Sequence, residues 1–310
     1  MKHETVFSRN VQKYGKKHKE QHEAISSGGG QSQLKAAIFS EAKKDMKLFQ
    51  ANVSRLETDL KKAESGGLMK AYLAESGGLI FNDANILQSF YYVDEFTEQV
   101  ILPNCKDFIL DSGAFTFMQN AKRSVNWEEY VDKYAEFVKK HNIKKYFELD
   151  IDSIVGLKEV ERLRKKLETS VGWQCIPVWH LWRGMDYWHM MCNNYSYVAI
   201  GGLAGEDKYT KRIKKLHECF PMLINIAHKN SAKVHGLGFT SLSGLKKYHF
   251  DSVDSTSWIS GNRYGMIYKF TGDTITTVKR PPNTRVNTSL TAINNFLEWK
   301  KFAQYMEKMY

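Results

Sequence analysis

The chain has 310 residues, 42% hydrophobic and 13% aromatic, enough for one large domain or one domain plus an extension. No apolar run approaches the roughly 18–20 residues that span a bilayer, and Met1-Lys-His-Glu-Thr5 lacks the apolar stretch of a secretion signal, so a soluble cytoplasmic protein with no membrane partner is expected. The formal net charge of +11 favours an anionic partner, because Lys and Arg that neutralise phosphates release counterions, although charge also serves solubility.

Residues 1–68 stand apart, with 13 Lys and Arg against 8 Asp and Glu and the flexible stretch Ser26-Ser-Gly-Gly-Gly30. Phe39, Ala42, Met46, Phe49, Val53, Leu56 and Leu60 then recur at alternating spacings of three and four. That is a heptad seam on one long helix, stopped at Gly66-Gly67. Three heptads are short for an independent coiled coil. Self-association, a protein partner or packing on the main domain are the roles open to this basic helical extension. Ala63-Glu-Ser-Gly-Gly-Leu68 recurs as Ala74-Glu-Ser-Gly-Gly-Leu79, too short a copy for a solenoid. The domain boundary is placed between the copies, giving 1–68 and 69–310.

From Met69 strand-like runs alternate with helical ones. Strands are predicted at 69–74, 107–110, 145–150, 174–179, 196–200, 233–237 and 250–253, and helices at Trp127–His141, Leu157–Thr169 and Asp207–Cys219. Seven or eight such repeats favour an α/β fold of TIM-type, a closed (β/α)8 barrel. A hairpin about Thr271-Gly-Asp273 and a helix from about Ser289 close the chain.

The predicted strands end in polar or glycine-rich residues, where parallel α/β proteins place their active sites. In order these are Asp111-Ser-Gly-Ala-Phe115, Asp150-Ile-Asp152, His180, Gly201-Gly-Leu-Ala204, His235-Gly-Leu-Gly238 and Asp254-Ser-Thr-Ser-Trp258. One strand-end aspartate is usually a cap or turn former, but a series points to a site. Two carboxylates there suit chemistry at a sugar carbon, one as nucleophile and the other as acid and base. Cys105, Cys175, Cys192 and Cys219 lie far apart with no Cys-x-x-Cys pair, which argues against structural zinc and a disulfide framework.

In these motifs and their order the chain resembles the tRNA-guanine transglycosylases, over roughly residues 69–265. It departs from them at Ala114, where the family has a second glycine, and at His235, where it has the methionine that stacks on the base. The family's zinc-binding cysteine cluster is missing, and no RNA-binding domain is expected after the barrel. These departures are similar to the phage and bacterial branch that inserts 7-deazaguanine into DNA, which would place the enzyme in the host cytoplasm if phage-encoded. The resemblance implies a base-exchanging glycosyltransferase that needs no metal or organic cofactor. Asp254 would attack C1′ and Asp111 would carry the proton to and from the base. Asp150 would read the purine's donor edge with Gly201 and Gly202 on the opposite edge, Ser112 and Gly113 would line the base site, and Phe115 and His235 would sandwich the ring. DNA and the free deazaguanine base are the expected partners. The alternatives are a tRNA-directed enzyme of the queuine type and a non-catalytic nucleic-acid-binding barrel subunit.

Several assignments stay open. Asp251 fits the bacterial Phe-Asp-Cys-Val pattern as Phe250-Asp-Ser-Val253, and residues three apart on a strand face opposite sides. Asp254 is preferred as nucleophile because small residues follow it, with Asp251 the alternative. His180 is either a ribose or base contact or a satisfied structural residue. Trp179, Trp182 and Trp188 either stack on bases or fill the core. Arg263 either grips a phosphate or is solvated, and Lys211–Lys215 read mainly as an exposed helix face.

Overall fold

The structure, a computed structural model, describes residues 69–74, 83–113, 116, 125–202, 211–239, 241–259, 265–278 and 287–309, with the backbone alone at 211–215. The predicted extension over residues 1–68 lies outside the described residues, as do Ala114, Phe115, Leu203, Ala204 and Arg263.

Among the described residues seven parallel strands run as β1 Lys70–Ala74, β2 Asn85–Ser89, β3 Asp107–Asp111, β4 Val178–Trp179, β5 Tyr197–Ile200, β6 Lys233–Gly236 and β7 Ser252–Ser255. Their order in the sheet is β3-β2-β1-β7-β6-β5-β4. The two ends are joined by the segment at Tyr146–Phe147, which bridges Leu110 on one side and Ile176 on the other in parallel register. With that eighth staff the sheet curls into a TIM-type barrel, and neither outer strand is left as an open edge. The helices are α1 Trp127–Lys140, α2 Leu157–Val171, α3 Gly184–Asn194, α4 Lys211–Lys229, α5 Leu242–Lys247 and α6 Thr288–Met309. The expected C-terminal hairpin is present as antiparallel β8 Ile267–Phe270 and β9 Ile275–Val278, and α6 follows it.

The strand period of two sorts the residues into layers. Tyr72, Leu87, Ile109, Phe147, Ile176, Val178 and Ala199, one or two from each of six staves, form a single buried cluster inside the ring. Their neighbours face the helices: Leu110 packs with Val131 and Tyr134 of α1, and Val198 and Val234 pack with Phe220 and Leu223 of α4. Burying such side chains contributes about 1.5–3 kcal/mol each. On α1, Val131, Tyr134, Ala135 and Val138 make the apolar stripe. Asn126 caps its start by accepting from the Glu129 N–H at 3.3 Å, and Lys139-Lys140 sit in the last turn, where the dipole favours cations.

Several predicted elements need correction: the 174–179 strand is reduced to β4 Val178–Trp179, and the helix predicted to end at Cys219 continues to Lys229 as α4. β2 is absent from the sequence-based assignment, because all five of Asn85-Ile-Leu-Gln-Ser89 are buried and no polar–apolar alternation survives. The 145–150 strand is reduced to a pair of bridges at Tyr146 and Phe147, followed by one backbone bond from the Glu148 N–H to the Ile176 carbonyl at 3.1 Å. β7 begins two residues later than predicted and includes Asp254, which therefore sits on the strand and not on a turn beyond it.

Candidate active site

Parity from Val178, Ala199 and Ile109 aims His180, Gly201 and Asp111 at the carboxyl mouth of the ring, and Ser252 and Asp254 share the inner face of β7. Asp254 is 5% exposed. Its Oδ1 accepts from the Gly238 N–H at 2.5 Å and lies 3.1 Å from His235 Nε2. Gly238 presents that N–H from a turn with φ +72°, a conformation that favours glycine. Among the described residues Oδ2 makes no hydrogen bond, so half of the carboxylate is left for a ligand.

Asp251 is placed at the other end of β7. Its Oδ2 accepts from the Val234 N–H at 2.8 Å and pairs with His228 Nε2 at 2.8 Å. Strand register against β1 and β6 therefore puts Asp254, and not Asp251, toward the mouth.

At the end of β3 the Asp111 Oδ2 accepts from the Gly113 N–H at 2.9 Å, closing a tight turn in which Gly113 adopts φ +80°. A Cβ on Gly113 would lie 2.8 Å from that of Tyr91, so the turn admits no side chain there. Ser112 is fully buried, and its carbonyl accepts from the Tyr130 hydroxyl at 2.7 Å. Burial pushes the Tyr130 phenol well up, and the nearby Asp111 charge adds to the rise, so Tyr130 remains a proton donor to this turn.

His180 continues from β4. Its Nε2 is 3.4 Å from Asp150 Oδ2, within ion-pair reach but outside hydrogen-bond alignment, and among the described residues neither buried ring nitrogen has a hydrogen-bond partner. The ring stacks on Trp182 with centroids 4.4 Å apart and planes 3° off parallel. Gly201 makes room for it, since a Cβ there would stand 2.6 Å from His180 Cε1. The close approach expected at Gly201 is thus made by a side chain of this protein. The open backbone is that of Gly202, at φ +74°, where a Cβ would lie 3.6 Å from His180 Nδ1.

His235 departs from expectation. It is fully buried inside the ring, with Tyr72 and Phe147 at ring-centroid distances of 6.1 and 5.1 Å. No face is left open to sandwich a base. Its Nδ1 instead pairs with Ser252 Oγ at 2.5 Å, and Ser252 Oγ pairs with the Tyr197 hydroxyl. Trp179 and Trp188 fill the layer between barrel and helices, whereas Trp182 is half exposed.

Sequence reasoning named Asp152 and Trp182 but missed Glu148, Arg164 and Arg183, which join them in one network beneath the mouth. Fully buried Glu148 binds Arg164 Nη1 at 3.0 Å, Arg183 Nη1 at 2.7 Å and the Val178 N–H at 2.9 Å. Arg183 Nε and Trp182 Nε1 both donate to Asp152 Oδ2, at 2.9 and 2.7 Å. Burial alone would raise the Asp152 carboxyl, but Arg183 and Trp182 hold it below the ordinary value. A carboxylate buried so deeply requires this pairing, and the network ties β4 to the His180–Arg183 turn. The even-numbered parity of Glu148, opposite to Phe147, was the available signal.

The arrangement is that of a parallel barrel with carboxylates, an imidazole and glycine turns gathered at the carboxyl mouth, an architecture suited to an enzyme. No family model matches the chain, and no curated protein matches it. Among solved structures it is similar to a "putative fructose-1,6-biphosphate aldolase" from Coccidioides immitis, at 10% identity and TM-score 0.43, over 81% of this chain and 91% of that one. A likeness at that level carries no argument about chemistry. Among the described residues no helix is long and apolar enough to cross a membrane.

Proposed function

We propose that this chain is a base-exchanging glycosyltransferase that replaces guanine in DNA with a 7-deazaguanine, with Asp254 as nucleophile and Asp111 as proton carrier. The observation that supports it most is the asymmetric carboxylate of Asp254. One oxygen is held by Gly238 and His235, and the other is uncommitted on the inner face of a strand at the barrel mouth. The motif order from Asp111 to Asp254 supports the same reading, and the scattered cysteines favour DNA over tRNA by lacking the zinc cluster of the tRNA enzymes.

In this reading Asp254 Oδ2 attacks C1′ through an oxocarbenium-like transition state. The C1′–N9 bond breaks, and guanine leaves with a proton from Asp111. The incoming deazaguanine gives its N9 proton back to Asp111, attacks C1′ and releases Asp254. Two inversions retain the configuration. Asp150, Gly202 and the paired rings of His180 and Trp182 line the place of the base; Phe115 and Arg263 stay assigned to base and phosphate on the sequence resemblance alone. A base taken from a duplex must first be extruded, at a cost of a few kcal/mol.

The test is mass spectrometry of nucleosides from DNA and from tRNA of cells expressing the protein, beside cells expressing Asp254→Ala. A deazaguanine nucleoside in DNA that disappears with the variant is the expected result. Modified tRNA with unmodified DNA would transfer the activity to the tRNA-directed alternative.

A further inference from the structure

We propose that His235 is a positioning residue for Asp254, held in one tautomer by a directional hydrogen-bond chain that starts at Tyr197 and passes through Ser252. The inference rests on the reading of Asp254 as nucleophile and adds the device that aims it. Cross-strand register creates the chain: His235 on β6 faces Ser252 on β7, and Asp254 is the next residue along the same face.

The direction follows from donor counting. An ionised carboxylate only accepts, so His235 Nε2 carries the hydrogen that meets Asp254 Oδ1 at 3.1 Å. In a neutral imidazole Nδ1 is then an acceptor, and the Ser252 hydroxyl donates to it at 2.5 Å. Ser252 Oγ in turn accepts from Tyr197. Burial pushes the Tyr197 phenol up, and the charges of Asp251 and Asp107 add to the rise against the opposing Ser252 bond, so Tyr197 keeps the proton it donates. The other titratable groups near the chain are Tyr72, also raised by burial, and two clusters at the amino end, Asp107 with Lys70 and Lys145 and Asp251 with His228.

The consequence is mechanical. Two donors, Gly238 N–H and His235 Nε2–H, converge on one oxygen and fix the carboxylate plane, which leaves Oδ2 turned to the reacting carbon. A ring with no exposed surface has no contact to offer a base, so its loss should alter turnover and not binding.

Two measurements on the full chain test this. In single-turnover exchange on a guanine oligonucleotide, His235→Leu should slow formation of the covalent glycosyl-enzyme by about 10–100-fold with KM within about twofold, as expected of a misaligned reactive group. His235→Gln, whose amide can still donate to Oδ1, should recover most of the rate, and Ser252→Ala should fall between. Separately, 15N NMR of histidine-labelled protein should show one ring as the Nε2–H tautomer, identified by its absence in His235→Gln and mixed with the other tautomer in Ser252→Ala. A raised KM with intact kcat in His235→Leu, or an Nδ1–H tautomer in the native protein, would overturn the proposal. If no nucleic acid is modified by the native protein, the functional reading fails, and the tautomer still decides whether the chain exists. Should His235→Leu not fold, His235→Gln and Ser252→Ala carry both measurements.

Discussion

The two ends of the barrel put the same side chain to different uses. Asp107 opens β3 and Asp111 closes it; Asp251 precedes β7 and Asp254 lies on it. At the amino end Asp107 Oδ2 is saturated, taking Lys70 Nζ at 2.6 Å, Lys145 Nζ at 2.5 Å and the Tyr72 hydroxyl at 2.9 Å. Asp251 takes the same kinds of partner as Asp254, a histidine and a backbone N–H on one oxygen, so its place at the amino end of β7 is what separates the two. At the carboxyl end Asp254 Oδ1 takes the Gly238 N–H and His235 Nε2, and Asp111 Oδ2 takes the Gly113 N–H of a glycine turn. Carboxylates neutralised by lysine close the bottom of a ring. Carboxylates aimed by dipoles keep the capacity to react.

The sharpest way to break this contrast is to remove each aspartate of β7 in turn. Asp254→Ala should abolish base exchange, because no covalent intermediate can form. It should also lose about 1–3 kcal/mol of stability, because the Gly238 N–H and the buried His235 Nε2 lose their acceptor. Asp251→Ala should keep exchange but lose about 1–3 kcal/mol of stability, the cost of leaving the Val234 N–H unsatisfied. Exchange assays and urea melts on both variants check the pair, and an inactive Asp251→Ala of native stability would move the nucleophile to the wrong end of the strand.

On β3 the expected effect is smaller. Asp111→Asn keeps the turn's shape but cannot carry a proton, so the chemical step should slow by roughly 10²–10⁴-fold with little change in KM. Unchanged turnover would leave Asp111 with only its turn.

The mouth's packing can be tested through Gly201→Ala, whose added methyl meets the His180 ring and Val178 Cγ1, 2.6 and 2.7 Å away. A loss of about 1–3 kcal/mol is expected. His180→Ala in the same chain should recover part of it, read as a coupling in a double-mutant cycle.

The smallest effect sharpens the amino end. Burial alone would raise the Asp107 carboxyl, but Lys145 and Lys70 hold it at about 2 against an ordinary 3.8. A depressed folded value stabilises the protein above about pH 4, and that contribution is lost as pH falls toward about 2. In Asp107→Asn the decline of the urea midpoint over that window should therefore be shallower than in the native chain.

Much of the fold was legible because its signals are local. Strand-like runs with polar or glycine-rich ends marked seven staves, helical patterns marked α1 and α2, and Thr271-Gly-Asp273 marked the hairpin. The same strand ends named Asp111, Asp150, His180, Gly201 and Asp254 as one series. What the linear pattern lacked is who stands opposite whom. β2 was hidden because its polar residues are buried along with its apolar ones, Asn85 Nδ2 reaching the Ala71 carbonyl and Glu307 Oε1 far along the chain. Whether Asp251 or Asp254 faces the mouth depended on where β7 begins against β1 and β6, a matter of two residues in register. The sequence allows His235 as a platform for a base, and the closed ring excludes that role by placing Tyr72 and Phe147 against it. Period and composition belong to a segment and can be read from it. Register, enclosure and hydrogen-bond partners belong to pairs of segments, and only the closing of the barrel decided them.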